Sequence, residues 1–350
     1  MGFYYIFIIL FIFTFFLNSF LIKKNLLLDS KKISKHKSFI QNRNKVSYVG
    51  GFIILIAHFF FWIEKDYNFI IFATLIFILG VFSDLGLLKS PLKRFFLQSI
   101  TILSFLMLYD AGISSIRIEF LDYLIQYKII NLLFTTFCIL IVINGSNFMD
   151  GVNTLAVGYF ILILLSLLFI FFNNSIILLH YNLVIIIIIS LLVVFIFNIF
   201  GKIYLGDNGA YLTAFIISII LIDVSKNNIL ISPYYVVNLL WYPAFENFFS
   251  IIRKIIQKKS PMEPDNEHLH QLLFSYFKSI KWLNKKFSNS LTACTINLFN
   301  LVIFSVATLY YSLTNIQIVI ILTSLFFYNF CYFVLKNKII KINLTNKKKN

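Results

Sequence analysis

Two short polar segments beside apolar runs carry residue types suited to metal and phosphate chemistry. The first, 144–153, reads NGSNFMDGVN and follows an apolar run. Asn144, Asn147 and Asp150 are spaced by three, so at a helix end they share one slowly turning face. An ionisable residue beside an apolar helix is costly and is a functional candidate by default. The alternative, a polar helix cap and turn, stays open.

The second segment, 204–211, reads YLGDNGAY and lies between two apolar runs. Its glycines permit close backbone approach. Asp207 is either the N-cap of the following helix or a ligand of a divalent cation, with backbone N–H groups facing a phosphate. Tyr204 either stacks on a flat ring or is an interfacial aromatic residue.

A third acid, Asp84, ends an apolar run in the segment 79–94, which reads LGVFSDLGLLKSPLKR. Lys89, Lys93 and Arg94 follow it. Asp84 is therefore either a cap paired with these cations or a group for metal binding or proton transfer.

Two histidines, His268 and His270, follow an acidic stretch broken by proline. Residues two apart do not share a helix face, so both reach one ligand only from a loop or a helix start. Glu246 and Arg253, seven apart, lie on one helix face two turns away from each other. The histidines are either incidental residues of a solvated loop or hydrogen-bond donors to a phosphate.

A strongly basic loop covers 22–45 and ends just before the glycine pair at Gly50 and Gly51. We attribute most of its charge to membrane topology and to contact with anionic lipid headgroups. Lys45, close to the glycine pair, is a candidate for neutralising a phosphate.

The elements that must position these residues are apolar helices. The chain has 350 residues, of which 60% are hydrophobic, and a mean hydropathy of +0.88, so its solvent is a bilayer. We predict an all-α, polytopic integral membrane protein with a single polytopic membrane domain, 1–335, and a basic cytoplasmic tail, 336–350. The surface segment 110–128 separates two of about eleven predicted spans, which are 3–22, 46–63, 67–83, 95–109, 129–146, 154–172, 176–199, 208–222, 229–250, 287–312 and 315–335.

Charge orients the predicted spans. Of the 30 Lys and Arg, 26 fall in loops on one side of the membrane, which marks that side as cytoplasmic. The N-terminus is then periplasmic and the C-terminus cytoplasmic, and all the polar segments above open to the cytoplasm. This topology and anionic lipids account for the net charge of +16, so no nucleic acid partner is needed.

Together these segments offer carboxylates, amides, an aromatic ring, imidazoles and cations at one membrane face. Hard oxygen ligands favour Mg²⁺, with Mn²⁺ as the alternative ion. The chemistry that fits is phosphoryl transfer, in which the protein mainly positions the reactants. Its membrane location implies that one reactant is a lipid.

The ordered segments resemble the polyprenyl-phosphate N-acetylhexosamine-1-phosphate transferases, glycosyltransferase family 4. That family includes the undecaprenyl-phosphate GlcNAc-1-phosphate transferase and the phospho-N-acetylmuramoyl-pentapeptide transferase. The resemblance covers about 22 to 273 and is carried by five segments: the glycine pair after the basic loop, Asp84, NxxNxxDG at 144–151, YLGDNGA at 204–210, and Arg253 with HLH at 268–270.

The resemblance implies a reaction that joins a UDP-sugar and undecaprenyl phosphate into a lipid-pyrophosphate-sugar and UMP, in the bacterial inner membrane. It implies that Asp207 binds Mg²⁺ and that Asp150 lies in the catalytic pocket. We predict catalytic roles for Asp84, Asp150 and Asp207, with Asp207 and either Asp84 or Asp150 holding the metal. The substrate-binding residues implied, with Lys45 and Asn153 added from this chain, are Lys45, Asn144, Asn147, Asn153, Tyr204, Arg253, His268 and His270. A homodimer is a further expectation.

Two positions depart from the family pattern. Ser83 stands where the family usually has an Asp before Asp84, and Asn153 stands where it often has a second Asp. These departures keep a non-catalytic paralogue open as an alternative. The other alternative is a transporter or flippase of lipid-linked sugars, which predicts polar residues near the bilayer midplane and paired repeats.

Overall fold

The fold is all-helical. A computed structural model describes residues 2–29, 45–61, 66–174, 176–260, 263, 266–280, 283–284 and 287–347, with side chains as far as 342. Over these ranges the chain forms helices α1 Phe3–Lys24, α2 Gly50–Phe61, α3 Tyr67–Asp84, α4 Pro91–Tyr109, α5 Glu119–Ile125, α6 Lys128–Met149, α7 Leu155–Asn174, α8 Tyr181–Ile199, α9 Gly206–Asn227, α10 Pro233–Ile256, α11 Leu269–Ser279, α12 Ser288–Leu309 and α13 Thr314–Lys347.

The helices confirm a polytopic membrane protein, while the count of eleven spans stays a prediction. Within the described residues, nine helices are long and apolar enough to cross a membrane. Each of the eleven predicted spans corresponds to a helix. Two of them are not among the nine: α2 has only 12 residues, and α10 contains the polar sequence around Glu246. The short helix α5 lies within the predicted surface segment 110–128.

Helix α9 is the centre of the bundle. In the most apolar 18-residue stretch of α9, 89% of the residues are buried inside the protein, compared with 22% for α1 and 17% for α13. A helix that is apolar all round belongs in a core, and one with a single packed face belongs at the lipid boundary. Because α9 begins at Gly206, the Asp207 segment lies where the central helix reaches the end of the bundle.

Two glycines allow α2 and α3 to approach the first turn of α9. A Cβ atom on Gly80 of α3 would lie 2.7 Å from the backbone nitrogen of Asn208, and one on Gly51 of α2 would lie 2.7 Å from the backbone nitrogen of Gly209. Small residues at such positions let backbones come together in membrane helix pairs. These contacts bring the end of α3 to the start of α9.

Polar contacts join the helix ends into two groups. The site end comprises the ends of α3, α6 and α10 and the starts of α4, α9 and α11. At the opposite end, Arg117 donates hydrogen bonds to Thr314 Oγ1 at 2.7 Å and to the Ile229 carbonyl at 2.9 Å. The helices between them alternate in direction, as the predicted topology requires.

Helix α13 continues across the predicted boundary between the membrane domain and the basic tail. It runs unbroken from Thr314 to Lys347. Lys336 Nζ donates to Glu267 Oε2 at 2.8 Å, and Lys338 Nζ lies 5.1 Å from the ring centroid of Tyr276. The start of the tail therefore packs against the segment that carries α11.

The orientation can be tested with single cysteines in a background without native cysteine. Ile229→Cys lies at the opposite end and Lys259→Cys at the site end, and both side chains are exposed. Because the basic loops mark the cytoplasm, we expect a membrane-impermeant maleimide to label Ile229→Cys in spheroplasts and Lys259→Cys only after permeabilisation. The reverse labelling would overturn the predicted orientation.

The glycine contact predicts a stability effect. Gly80→Ala places a methyl group against the backbone of α9, and such overpacking costs about 1–3 kcal/mol. We expect a lower midpoint of thermal unfolding in detergent. Gly2→Ala is the matched control, because its Cβ would meet Tyr5 only at an ordinary 3.6 Å. Equal midpoints for the two variants would contradict the close approach.

Candidate functional site

The first part of the site surrounds the carboxylate of Asp207, the second residue of α9. Ser83 Oγ, at the end of α3, donates to Asp207 Oδ2 at 2.5 Å. Arg94, in the first turn of α4, donates from Nη1 to Ser83 Oγ at 2.8 Å and lies 3.4 Å from Asp207 Oδ2. The hydroxyl of Tyr211 is also 3.4 Å from that oxygen. One acid and one cation therefore meet at the start of the central helix, with a serine between them.

Asp84 binds the N-terminus of α9. Its Oδ1 accepts from the backbone N–H of Asp207 at 3.0 Å, and its Oδ2 accepts from the backbone N–H of Asn208 at 3.0 Å and from Asn208 Nδ2 at 2.6 Å. A carboxylate is favourable there because the first N–H groups of a helix lack intrahelical partners. Gly206 makes the turn with φ +76, which a side chain would strain. Asp84 therefore caps the N-terminus of α9, a role different from the predicted cap paired with the cations that follow it.

The polar residues at the end of α6 take different roles. Asn144 Nδ2 donates to the Leu140 carbonyl of its own helix at 2.8 Å. Asn147 Oδ1 is buried and has no hydrogen-bond partner among the described residues. Asp150 is the C-cap of α6, and the backbone N–H of Asn153 donates to Asn289 Oδ1 at 2.9 Å. Of the four, Asn147 presents a buried acceptor without a protein partner.

The second part of the site is a buried glutamate with two imidazoles. Glu246 of α10 and His270 are 0% exposed, and His268 is 4% exposed. Glu246 Oε2 lies 2.9 Å from His268 Nδ1, and Oε1 accepts from the backbone N–H of Leu269 at 3.0 Å and lies 3.7 Å from His270 Nδ1. The two rings are nearly parallel, 8° apart, with centroids 5.4 Å apart.

The imidazoles lie against the end of α6. The ring of His268 is 4.6 Å from that of Phe148, and a Cβ on Gly151 would be 3.7 Å from His270 Nε2. Within the described residues, neither ring nitrogen of His270 makes a well-aligned hydrogen bond, but Glu246 and the backbone of Phe148 are close enough to act on the ring. Complete burial lowers the pKa of His270 below its ordinary value, and the Glu246 carboxylate partly opposes this shift.

Arg253 holds the chain segment before α11. Its Nη1 donates to the Glu267 carbonyl at 2.6 Å, and its guanidinium lies 5.9 Å from the ring centroids of Phe249 and Tyr332. Partial burial works to raise the pKa of Glu267, but Lys336 and the neighbouring donors outweigh it and hold that pKa below its usual value. Arg253 thus supports the loop that carries the histidines.

Lys45 and Tyr204 lie near the start of α2. Lys45 is exposed and its Nζ donates to Asn25 Oδ1 at 2.6 Å. The ring of Tyr204 lies 6.0 Å from that of Tyr48, whose backbone carbonyl accepts from Asn208 Nδ2 at 3.2 Å. Most of the basic loop, 30–44, lies outside the described residues.

Helix α6 connects the two parts. Ser146 Oγ donates to the Ala210 carbonyl of α9 at 3.1 Å. One residue earlier, a Cβ on Gly145 would lie 2.5 Å from the Pro243 carbonyl carbon of α10. The end of α6 therefore stands between Asp207 on one side and Glu246 on the other.

The donor set fits a magnesium ion that also binds substrate oxygens. Among the described residues, no three His, Cys, Asp or Glu are grouped as a metal site. Mg²⁺ is commonly held by one or two carboxylates with phosphate oxygens and waters completing its shell. Asp207 suits that role, whereas both oxygens of Asp84 are engaged by N–H donors of α9.

Sequence reasoning missed Arg94 and Glu246 as site residues. Arg94 was grouped with the basic residues after Asp84, and its place in the first turn of a helix gave no sign that it faces Asp207. Glu246 carried a usable signal, since an acid inside an apolar helix is expensive and must find a partner. Ser83, noted only as a departure, contacts Asp207 directly.

Two comparisons with known proteins find similar sequences. Residues 67–225 match the family model of glycosyl transferase family 4. The "Probable undecaprenyl-phosphate N-acetylglucosaminyl 1-phosphate transferase" of Bacillus subtilis (strain 168) is 25% identical over 207 residues, which are 58% of this chain and 57% of that protein. The chain thus matches a little over half the length of this relative. Residues 67–225, which contain Asp84, Arg94, Asp150 and Asp207, are the part of the chain that resembles this family.

Proposed function

We propose that the protein transfers an N-acetylhexosamine-1-phosphate from a UDP-sugar to undecaprenyl phosphate, releasing UMP and initiating synthesis of a cell-surface polysaccharide such as O-antigen. The observation that carries the proposal is the meeting of Asp207, Ser83 and Arg94 at the N-terminus of the central helix. The printed activity of the Bacillus subtilis relative supports the substrate classes. The site end would face the cytoplasm of a bacterial inner membrane, with the basic loops against anionic lipid.

The helix start and its cation suit a diphosphate. The N-terminus of α9 carries partial positive charge, and Arg94 adds a full charge beside Asp207. A magnesium ion bound at Asp207 would supply further neutralisation of the diphosphate. Arg94 would then orient the β-phosphoryl group for in-line attack by an oxygen of the lipid phosphate, and UMP would leave with the electrons of the broken P–O bond.

Ser83 removes one carboxylate that could act as a base. The lipid phosphate needs little help, because the second pKa of a phosphate monoester is about 6 and the nucleophile is largely ionised near neutral pH. The hydroxyl of Ser83 instead links Arg94 to Asp207. Its role is to hold the cation in place rather than to accept a proton from the lipid.

The second part of the site supplies contacts for the sugar and its phosphate. Asn147 Oδ1 and the nitrogens of His270 are buried polar atoms without hydrogen-bond partners among the described residues. Buried polar atoms are normally paired, so these fit atoms that a ligand pairs on binding. Tyr204 with Tyr48 offers an aromatic surface for the uracil ring.

The reaction is tested by UMP release from purified protein in detergent with undecaprenyl phosphate. We expect release from a UDP-N-acetylhexosamine only when Mg²⁺ and the lipid are both present. Asp207→Asn should lower turnover at least about 100-fold, as loss of a preorganised electrostatic group does. Asp110→Asn, an exposed acid at the opposite end, is the control. Wild-type turnover in Asp207→Asn would refute the metal role.

The position of Arg94 predicts that this residue contributes to binding of the UDP-sugar. Arg94→Gln removes the charge that faces the diphosphate, and a charge-assisted hydrogen bond contributes about 1.5–3 kcal/mol. We expect the KM for the UDP-sugar to rise about 10–100-fold. The neighbouring exposed residue gives a matched control, Lys93→Gln. A similar KM in both variants would show that Arg94 does not contact the donor.

A further inference from the structure

We infer that Glu246 is a positioning residue, which fixes the orientation and tautomer of His268 and His270 so that His270 Nε2 is presented to the donor substrate at the end of α6. The identity of that ligand rests on the proposed function. The positioning itself rests on contacts within the protein.

A fully buried carboxylate must be paired, because an isolated buried charge is too costly to persist. The partners of Glu246 come from two helices. Leu269 N–H and both imidazoles belong to the start of α11, and the hydroxyl of Tyr242, on α10 itself, lies 3.3 Å from Oε1. The acid thus ties a loop to the membrane helix.

Other groups around Glu246 add one aromatic hydroxyl and one cation. Tyr328 of α13 faces the carboxylate, and Arg253 lies two turns along α10 and stacks on Phe249 and Tyr332. Of these elements, α11 alone brings imidazoles to the acid.

The hydrogen-bond direction follows from chemistry. An ionised carboxylate only accepts, and Glu246 already accepts from the Leu269 N–H. The proton in the 2.9 Å contact therefore sits on His268 Nδ1. A carboxylate partner of this kind sets both tautomer and ring direction. In the neutral ring of His268, Nε2 is then the unprotonated nitrogen.

The orientation of His268 also fixes that of His270, because the two imidazole rings are stacked. Its ring is parallel to that of His268, which in turn lies against Phe148. His270 Nε2 is directed at the Gly151 turn, where a Cβ would be only 3.7 Å away. It is fully buried, and within the described part of the chain it makes no well-aligned hydrogen bond, although the backbone of Phe148 lies close enough to act on the ring. A substrate oxygen, either of the phosphate or of a sugar hydroxyl, is the ligand chemistry that pairs it.

The loop should keep its fold without the acid. The backbone N–H of His268 donates to Gln271 Oε1 at 3.2 Å, and the backbone N–H of Gln271 donates to the His268 carbonyl at 3.0 Å, so the start of α11 is held by contacts within the helix. Arg253 separately holds the carbonyl of Glu267. Glu246→Gln, which keeps the shape of the side chain, is therefore the informative variant.

We expect Glu246→Gln to lower kcat/KM for the UDP-sugar about 10–100-fold, the loss typical of an outer partner of a functional imidazole. Glu246→Asp should recover part of it. Because the carboxylate is what raises the pKa of His270 against burial, its removal lowers that pKa further. In the pH profile of kcat/KM, the change caused by titration of His270 should therefore occur at lower pH in Glu246→Gln than in the wild type. Glu119→Gln, an exposed acid of α5, is the control.

A second readout needs no substrate. In ¹⁵N-histidine NMR of the full chain in nanodiscs, with signals assigned through His268→Asn and His270→Asn, wild-type His268 should be the Nδ1–H tautomer, and Glu246→Gln should change its signals. Unchanged signals and an unchanged pH profile would overturn the positioning role. If the wild-type protein is inactive on UDP-sugars but Glu246→Gln still changes the His268 signals, the proposed function is refuted and the positioning role stands.

Discussion

The site depends on one contact, the hydrogen bonding of the Asp84 carboxylate to the N-terminus of α9. The helix is the most buried in the bundle, so its first N–H groups have little water to satisfy them. Asp84 satisfies those of Asp207 and Asn208, and this brings Ser83, one residue earlier, to the Asp207 carboxylate. Without Gly80 one turn back, the backbone of α3 could not come so near.

Two buried acids of the site are each paired. Asp207 has Arg94 at 3.4 Å, and Glu246 has two imidazoles and a backbone N–H. Each acid is held by a partner from another helix, so the pairs also set the relative positions of helices. The two groups differ in kind, since the first pairs its acid with a guanidinium and the second pairs its acid with two imidazoles.

The candidate site includes residues beyond the part of the chain that matches the family model. The match ends at 225, near the end of α9, while Glu246, Arg253 and the histidines lie beyond it. These later residues are nevertheless joined to the matched region through α6, which packs on α9 and α10 alike. Selection of the sugar and its phosphate is expected in the later part, where the helix ends meet a loop held by Arg253 and α13.

Composition and periodicity alone determined that this chain is a bundle of membrane helices, because about 20 consecutive apolar residues have few other solutions. They also singled out Asp84, Asp150 and Asp207 as acids at helix ends. The sequence could not say that Asp84 caps α9, that Arg94 faces Asp207, or that Glu246 orients the histidines. Those facts depend on contacts between residues 22 to 124 positions apart, which only the packing of helices brings together.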